Sequence, residues 1–129
     1  MTRGPAPRRA AAERLGRRAE AWAGWLLRLK GYRVLERRWR GPVGEIDLVA
    51  RRGSTLAVIE VKARPLAVAA AAAVDGRARR RLARAAAAFL AGRPDLAGLA
   101  VRFDVVLVVP GRLPRHLVDA WRPELEGGR

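Results

Sequence analysis

The chain has 129 residues, half of them hydrophobic, which is room for one domain with a buried core rather than for two. Its 27 basic residues against 12 acidic ones give a net charge of +15, and 25 of the 27 are Arg. That balance favours a polyanion, nucleic acid first, over an acidic protein or a membrane surface, although part of the Arg, like the 26 Ala, reflects a compositional bias.

The lack of Cys excludes a disulfide framework, a thiolate metal site and a Cys nucleophile, and the lone His116 argues against an imidazole zinc site. The longest uncharged apolar run, residues 66 to 74, is about half of a membrane span. A soluble, cytoplasmic protein is the expectation.

Residues 1 to 9 carry two Pro and three Arg without apolar periodicity, and are expected to form a disordered basic arm. A single domain is expected over 10 to 121, with a flexible tail over 122 to 129. Leu15, Ala19, Trp22, Leu26 and Leu29 recur at steps of four and three, which predicts a first helix ending at Gly31 with Trp22 buried. Tyr32 to Arg40 reads as a strand stopped by Gly41 and Pro42. Glu45 to Arg51 and Thr55 to Arg64 form short alternating or apolar runs around Arg52, Gly53 and Ser54, and predict a β-hairpin.

Asp75 suits the N-cap of a second helix that runs through Ala91 and stops at Gly92, with Ala78, Leu82, Ala85 and Phe89 as its apolar stripe. Val101 to Val109 is almost continuously apolar, as in a strand covered on both faces, and His116 to Trp121 adds a short edge strand. The order α-β-β-β-α-β, with a helix between the third and fourth strands suited to a parallel crossover, predicts an α/β fold with a central mixed sheet.

Two of the 12 acids, Asp47 and Glu60, fall inside the most apolar strand segments, where an ionised carboxylate is costly unless something positive meets it. By alternation Glu45, Asp47 and Val49 share one face of the first arm, Ile46, Leu48 and Ala50 the other, and Val58, Glu60 and Lys62 share one face of the second. A two-residue turn at Gly53 and Ser54 sets Asp47 opposite Glu60, their β-carbons about 5 Å apart, whereas a bulge would rotate one arm out of phase. Like charges so placed make sense around a cation, and oxygen ligands completed by water and phosphate suit Mg²⁺ or Mn²⁺. Lys62 follows Glu60 by about 7 Å along the strand, close enough to orient a nucleophile or meet a phosphate. The plainer alternative is an ordinary charge ladder on a solvated sheet face.

The segment "GRRAEAWAGWLLRLKGYRVLERRWRGPVGEIDLVARRGSTLAVIEVKAR", residues 16 to 64, followed by "VRFDVVLV", closely resembles the YraN family of restriction-endonuclease-like proteins, similar to archaeal Holliday-junction resolvases. With the intervening helix, the resemblance covers most of residues 13 to 109, and its most specific parts are "GEIDLVA" and "VIEVKAR". It implies a restriction-endonuclease-like α/β/α fold with a PD-(D/E)XK-type site. In that scheme Asp47 and Glu60 bind the cation, the Val61 backbone carbonyl completes the shell, Lys62 is the catalytic Lys, and Glu20 is the helix-one acid beside the metal. On the helical wheel, however, Glu20 lies about 120 to 140° from the centre of the predicted stripe, a shoulder position compatible with cleft or solvent. The chain departs from the family at Ala78, where a Lys is usual, at the apolar "PLAVAAAAAV" segment, and at Arg38, where an Asn is usual.

Arg77, Arg80, Arg81 and Arg84 line one side of the second helix near its N-terminus, where cations oppose the helix dipole, so they are candidates for phosphate contact. Arg37, Arg38 and Arg40 around Trp39 make a second patch, with Trp39 better explained by packing than by base stacking. Asp104 is expected to pair with an Arg. The resulting expectation is a Mg²⁺- or Mn²⁺-dependent nuclease acting on DNA, with branched DNA and a homodimer as its extension. A non-catalytic nucleic-acid-binding module and a basic adaptor for an acidic protein are the alternatives.

Overall fold

A computed structural model describes residues 5–64 and 74–123. Helix α1 spans Pro5–Leu29, strands β1, β2 and β3 span Arg33–Gly41, Gly44–Arg52 and Thr55–Ala63, and helix α2 spans Gly76–Ala91. A 3-10 turn at Pro94–Leu96 leads into β4, Ala100–Val108, and β5, Arg115–Trp121. The five strands form one mixed sheet in the order β1-β2-β3-β4-β5, antiparallel except for the parallel pair β3 and β4.

Two expectations about the ends of the chain change or fall away. Pro5 opens α1, where its fixed φ suits the first helical position and its missing N–H costs nothing. Residues 5 to 9 are therefore helical rather than part of a basic arm, and residues 1 to 4 lie outside the described residues. So does most of the expected tail, 124 to 129, as does the apolar segment 65 to 73.

Two cores lie on opposite faces of the sheet, giving three layers. On one face Leu82, Ala85, Ala86 and Phe89 of α2 pack with Leu56, Val58, Phe103, Val105 and Leu107. On the other, Ala19, Ala23 and Leu27 of α1 pack with Leu48, Ala50, Ala57, Ile59, Val106 and Val108. The α2 stripe and its Asp75 cap, which accepts from the Ala78 N–H at 2.9 Å, follow the sequence expectation.

The α1 stripe does not. Its buried line is Ala19, Ala23 and Leu27, whereas Trp22 is 53% exposed and Trp25 58%. Small residues at i and i+4 let the helix backbone approach the sheet closely, and the rings of Trp22 and Trp25, too large for that gap, are left outside. The side chain of Leu15 lies outside the described residues.

A buried polar anchor ties β4 to β5 on its α1-side face. Asp104, 1% exposed, accepts two hydrogen bonds from Arg102 at 2.9 and 2.8 Å, one from the Asp119 N–H at 2.8 Å, and meets His116 Nε2 at 2.8 Å. Lys30 Nζ reaches His116 Nδ1 at 2.6 Å, and because an ammonium only donates, Nδ1 accepts and the ring proton faces Asp104. Asp119 takes φ of 54°, which turns its N–H out of the ladder and into this carboxylate. The expected Arg partner of Asp104 is thus Arg102.

Candidate active site at the carboxyl end of β3

The hairpin is regular from its Gly53-Ser54 turn, with Gly53 at φ of 61°, up to the pair Leu48 and Ile59. Beyond it the alternation of β2 breaks. Ile46 joins Val49 in the α2-side core while Leu48 joins Ala50 in the α1-side core, so the expectation that Ile46, Leu48 and Ala50 share a face is corrected. Opposite this break, in β1, Arg37 pairs with Leu48 and Trp39 with Ile46, setting Arg38 across from Asp47. Arg38 takes φ of 52°, a left-handed conformation that a long side chain rarely adopts and that Asn tolerates better.

At this break Asp47 meets β3 through its side chain, its Oδ2 accepting the Val61 N–H at 2.8 Å. Glu60 is 7% exposed, and Lys62 Nζ stands 3.0 Å from Glu60 Oε2. From helix α1, Glu20 reaches Arg38 Nε at 2.6 Å. Glu20 lies closer to the sheet than its sequence position suggested, because relative to the true stripe of Ala19, Ala23 and Leu27 it is only about 60° off centre at 3.6 residues per turn.

The charges at this end of the sheet do not balance. Glu60 has Lys62 and Glu20 has Arg38, but Asp47 forms no ion pair among the described residues. Burial, and then the negative charge of Glu60, push the Asp47 carboxyl up to about 8, against the pull of the Val61 hydrogen bond and with a smaller push from Glu20. A carboxyl so placed either keeps its proton or takes a cation in its stead. Asp47 and Glu60 are hard oxygen donors of the kind Mg²⁺ and Mn²⁺ accept, and such ions keep several waters, so two carboxylates suffice as a protein share. Among the described residues no three Asp, Glu or His side chains gather into a fuller metal cluster. Glu20 is held by Arg38, and Val61 meets Asp47 through its N–H.

The Arg residues divide into two sets. Arg38 is committed to Glu20, and Arg40 stands 3.3 Å from Glu45 with both side chains exposed. Arg77, Arg80, Arg81 and Arg84 are exposed on α2 and form no ion pair among the described residues. Arg81 lies over Gly44 at the β1–β2 turn, where a Cβ would come within 3.1 Å of its Cγ. Trp39 packs edge-on against Phe89, with ring centroids 5.5 Å apart, and belongs to the α2-side core.

Sequence reasoning passed over the exposed pair Trp22 and Trp25. The signal that would have found them is the spacing Ala19, Ala23, Leu27, a competing stripe of smaller residues.

A sequence model of the uncharacterised protein family UPF0102 matches residues 19–108 of the chain, a stretch that holds Glu20, Asp47, Glu60, Lys62 and all of α2. The chain belongs to UPF0102. It is 64% identical over 113 residues to a UPF0102 protein of Parvibaculum lavamentivorans, covering 88% of this chain and 85% of the relative. A UPF0102 protein of Methylobacterium nodulans is 56% identical over 118 residues, covering 91% and 92%. One from Sphingopyxis alaskensis is 55% identical over 115 residues, covering 89% and 98%. Among the described residues of this UPF0102 chain, no helix is long and apolar enough to cross a membrane.

Proposed function

We propose that this UPF0102 protein is a Mg²⁺- or Mn²⁺-dependent nuclease of the restriction-endonuclease-like, PD-(D/E)XK kind that hydrolyses phosphodiester bonds in DNA. The observation that carries the reading is the Asp47–Glu60 pair: two carboxylates brought together at a break in the sheet, one without a basic partner among the described residues, with Lys62 alongside. Asp47 and Glu60 would hold the cation. When bound, such an ion neutralises phosphate oxygens and acidifies a water, which is the chemistry that phosphodiester hydrolysis lacks in neutral solution.

Each neighbouring residue then has a role. Glu60 holds the Lys62 ammonium at 3.0 Å, so that it presents donors at the same end of the sheet to a phosphate oxygen or to the attacking water. The Val61 N–H fixes the Asp47 carboxylate through Oδ2, and Glu60 stands within hydrogen-bond reach of the same carboxyl. Arg38 holds Glu20 within electrostatic reach of Asp47. Arg77, Arg80, Arg81 and Arg84 supply phosphate contacts along α2. Branched DNA fits this reading if two copies act together, since two symmetric strands then need two sites.

The test is cleavage of branched, flapped, single-stranded and duplex DNA in Mg²⁺ and Mn²⁺, beside identically purified Asp47→Asn and Lys62→Ala proteins. Wild-type cleavage should fall by at least about 100-fold in either variant, as for loss of a group acting on the reacting atoms, with the fold retained by circular dichroism. Undiminished cleavage by Asp47→Asn would overturn the assignment. The ion pair of Glu20 with Arg38, which takes up a third acid, favours one second reading, a binding module without catalysis. That reading calls for salt-steep binding to DNA, no metal effect and no cleavage.

A further inference from the structure

The exposed face of α1 offers a second feature at the same end of the sheet. Trp22 and Trp25 are more than half exposed. Between α1 and the β4–β5 connection runs a groove of about 490 Å³ walled by Ala19, Trp22, Pro110, Leu113 and Pro114, with Arg18 and Arg112 also lining it. Trp22 is also shared with an adjoining hollow lined by Arg18, Ala21 and Trp25. Leu113, on the groove's far wall, is 88% exposed, an unusual position for a Leu that covers no core.

The groove opens on the α1 side, at the same end of the sheet as the carboxylates. Val108, one of its lining residues, pairs with Ala63, and Leu107 pairs with Lys62. Val108 faces the α1-side core, whereas Glu60 and Lys62 alternate with Ile59 and Val61 onto the α2 side, so groove and carboxylates approach each other around this end of the sheet. On α1 the link is tighter still, since Ala19 lines the groove and the next residue, Glu20, points to Arg38 opposite Asp47.

Charge selects the occupant. A net charge of +15 draws a polyanion to this surface, and Arg18 and Arg112 join no ion pair among the described residues, so the apolar surface is flanked by free positive charge. Flat aromatic rings between guanidinium groups match a chain of alternating bases and phosphates whose bases are unpaired, because a duplex hides those π-faces in its own stack.

We propose that Trp22 and Trp25, with the adjoining groove, form a stacking platform for single-stranded DNA, holding unpaired bases on the α1 side at the same end of the sheet as the Asp47–Glu60 centre. The platform rests on the nuclease reading for its purpose and sharpens it: the preferred substrate carries a single-stranded segment next to the bond to be cut.

The experiment measures binding of fluorescent oligothymidine and of a duplex of equal length in chelator, so that no cleavage intervenes. Trp22→Ala and Trp25→Ala should each weaken oligothymidine binding about 10-fold, with duplex binding changed less than about twofold, because stacking contributes on that scale per base. Trp22→Tyr should restore most of the loss, and oligothymidine should quench the tryptophan emission of the wild type but not of the double Ala variant. Both rings lie outside the cores, so the variants should melt with the wild type.

Equal oligothymidine affinity of wild type and double variant would overturn the platform. So would a wild-type dimer that the double variant dissolves, which would give the face to a second copy. If Asp47-dependent cleavage persists in either case, the nuclease reading survives without the platform. Failure to bind any DNA would overturn both.

Discussion

A carboxyl that keeps its proton up to about pH 8 in the folded chain, and only to about pH 4 in the unfolded one, makes folding depend on pH in a direction opposite to most surface acids. Between those limits the folded state binds the extra proton, so this group's contribution to stability falls as pH rises from about 4 to about 8 and then levels. Urea unfolding at a series of pH values should show that decline in the wild type, and Asp47→Asn should remove it. A cation at Asp47 must displace the proton. Calorimetric titration with Mg²⁺ or Mn²⁺ at pH 7, in two buffers of different ionisation enthalpy, should therefore report release of about one proton, absent in Asp47→Asn. The spacing of Asp47, Glu60 and Lys62 was legible in the sequence, as was the chance of a bulge. The break at Arg38 was not, because a left-handed φ at an Arg has no local signature.

At the scale of elements, the position of Glu20 depends on how closely α1 lies on the sheet. Ala19 and Ala23 are 1% and 0% exposed, and a larger side chain at Ala23 has nowhere to go except by pushing the helix outward. Ala23→Leu should cost about 1 to 3 kcal/mol in chemical denaturation, as overpacked cores do, and should lower metal-dependent cleavage by lifting Glu20 and Trp22 away from the β3 end. The hairpin and α2 were legible because period-two alternation, a glycine turn and an Asp cap each act locally. The α1 face was misjudged for a physical reason. Trp and Leu dominate a hydrophobicity count, but a helix pressed onto a flat sheet selects for small residues, and that pressure comes from the sheet.

At the scale of the whole molecule, the buried anchor and the surface charge act in opposite senses. Burial raises the Asp104 carboxyl, but hydrogen bonds from His116, Arg102 and the Asp119 N–H outweigh it and hold the group down at about 2. Its contribution is complete above about pH 4 and is lost as pH falls toward about 2, so acid unfolding should begin in that window. Asp104→Asn should lose about 3 to 5 kcal/mol at neutral pH, measured by urea unfolding, because it strips the partner from Arg102 inside the sheet. On the proposed reading, surface charge bears on DNA binding instead. If Arg77, Arg80, Arg81 and Arg84 each meet a phosphate, replacing all four by Gln should flatten the slope of log affinity against log salt for duplex DNA by roughly 3 to 4. An unchanged slope would place the DNA elsewhere on the molecule.

The sequence by itself determined the element order, the mixed sheet around a covered β4, the UPF0102 motifs and the basic character, since periodicity, turn chemistry and net charge are properties of neighbouring residues or of simple sums. Tertiary structure decided which face of α1 is buried, that Arg38 binds Glu20, that Trp39 belongs to the core while Trp22 and Trp25 do not, and that Asp47 stands without a basic partner among the described residues. Those outcomes depend on distances between segments remote in sequence, where close packing and the match of opposite charges are settled only once the layers meet.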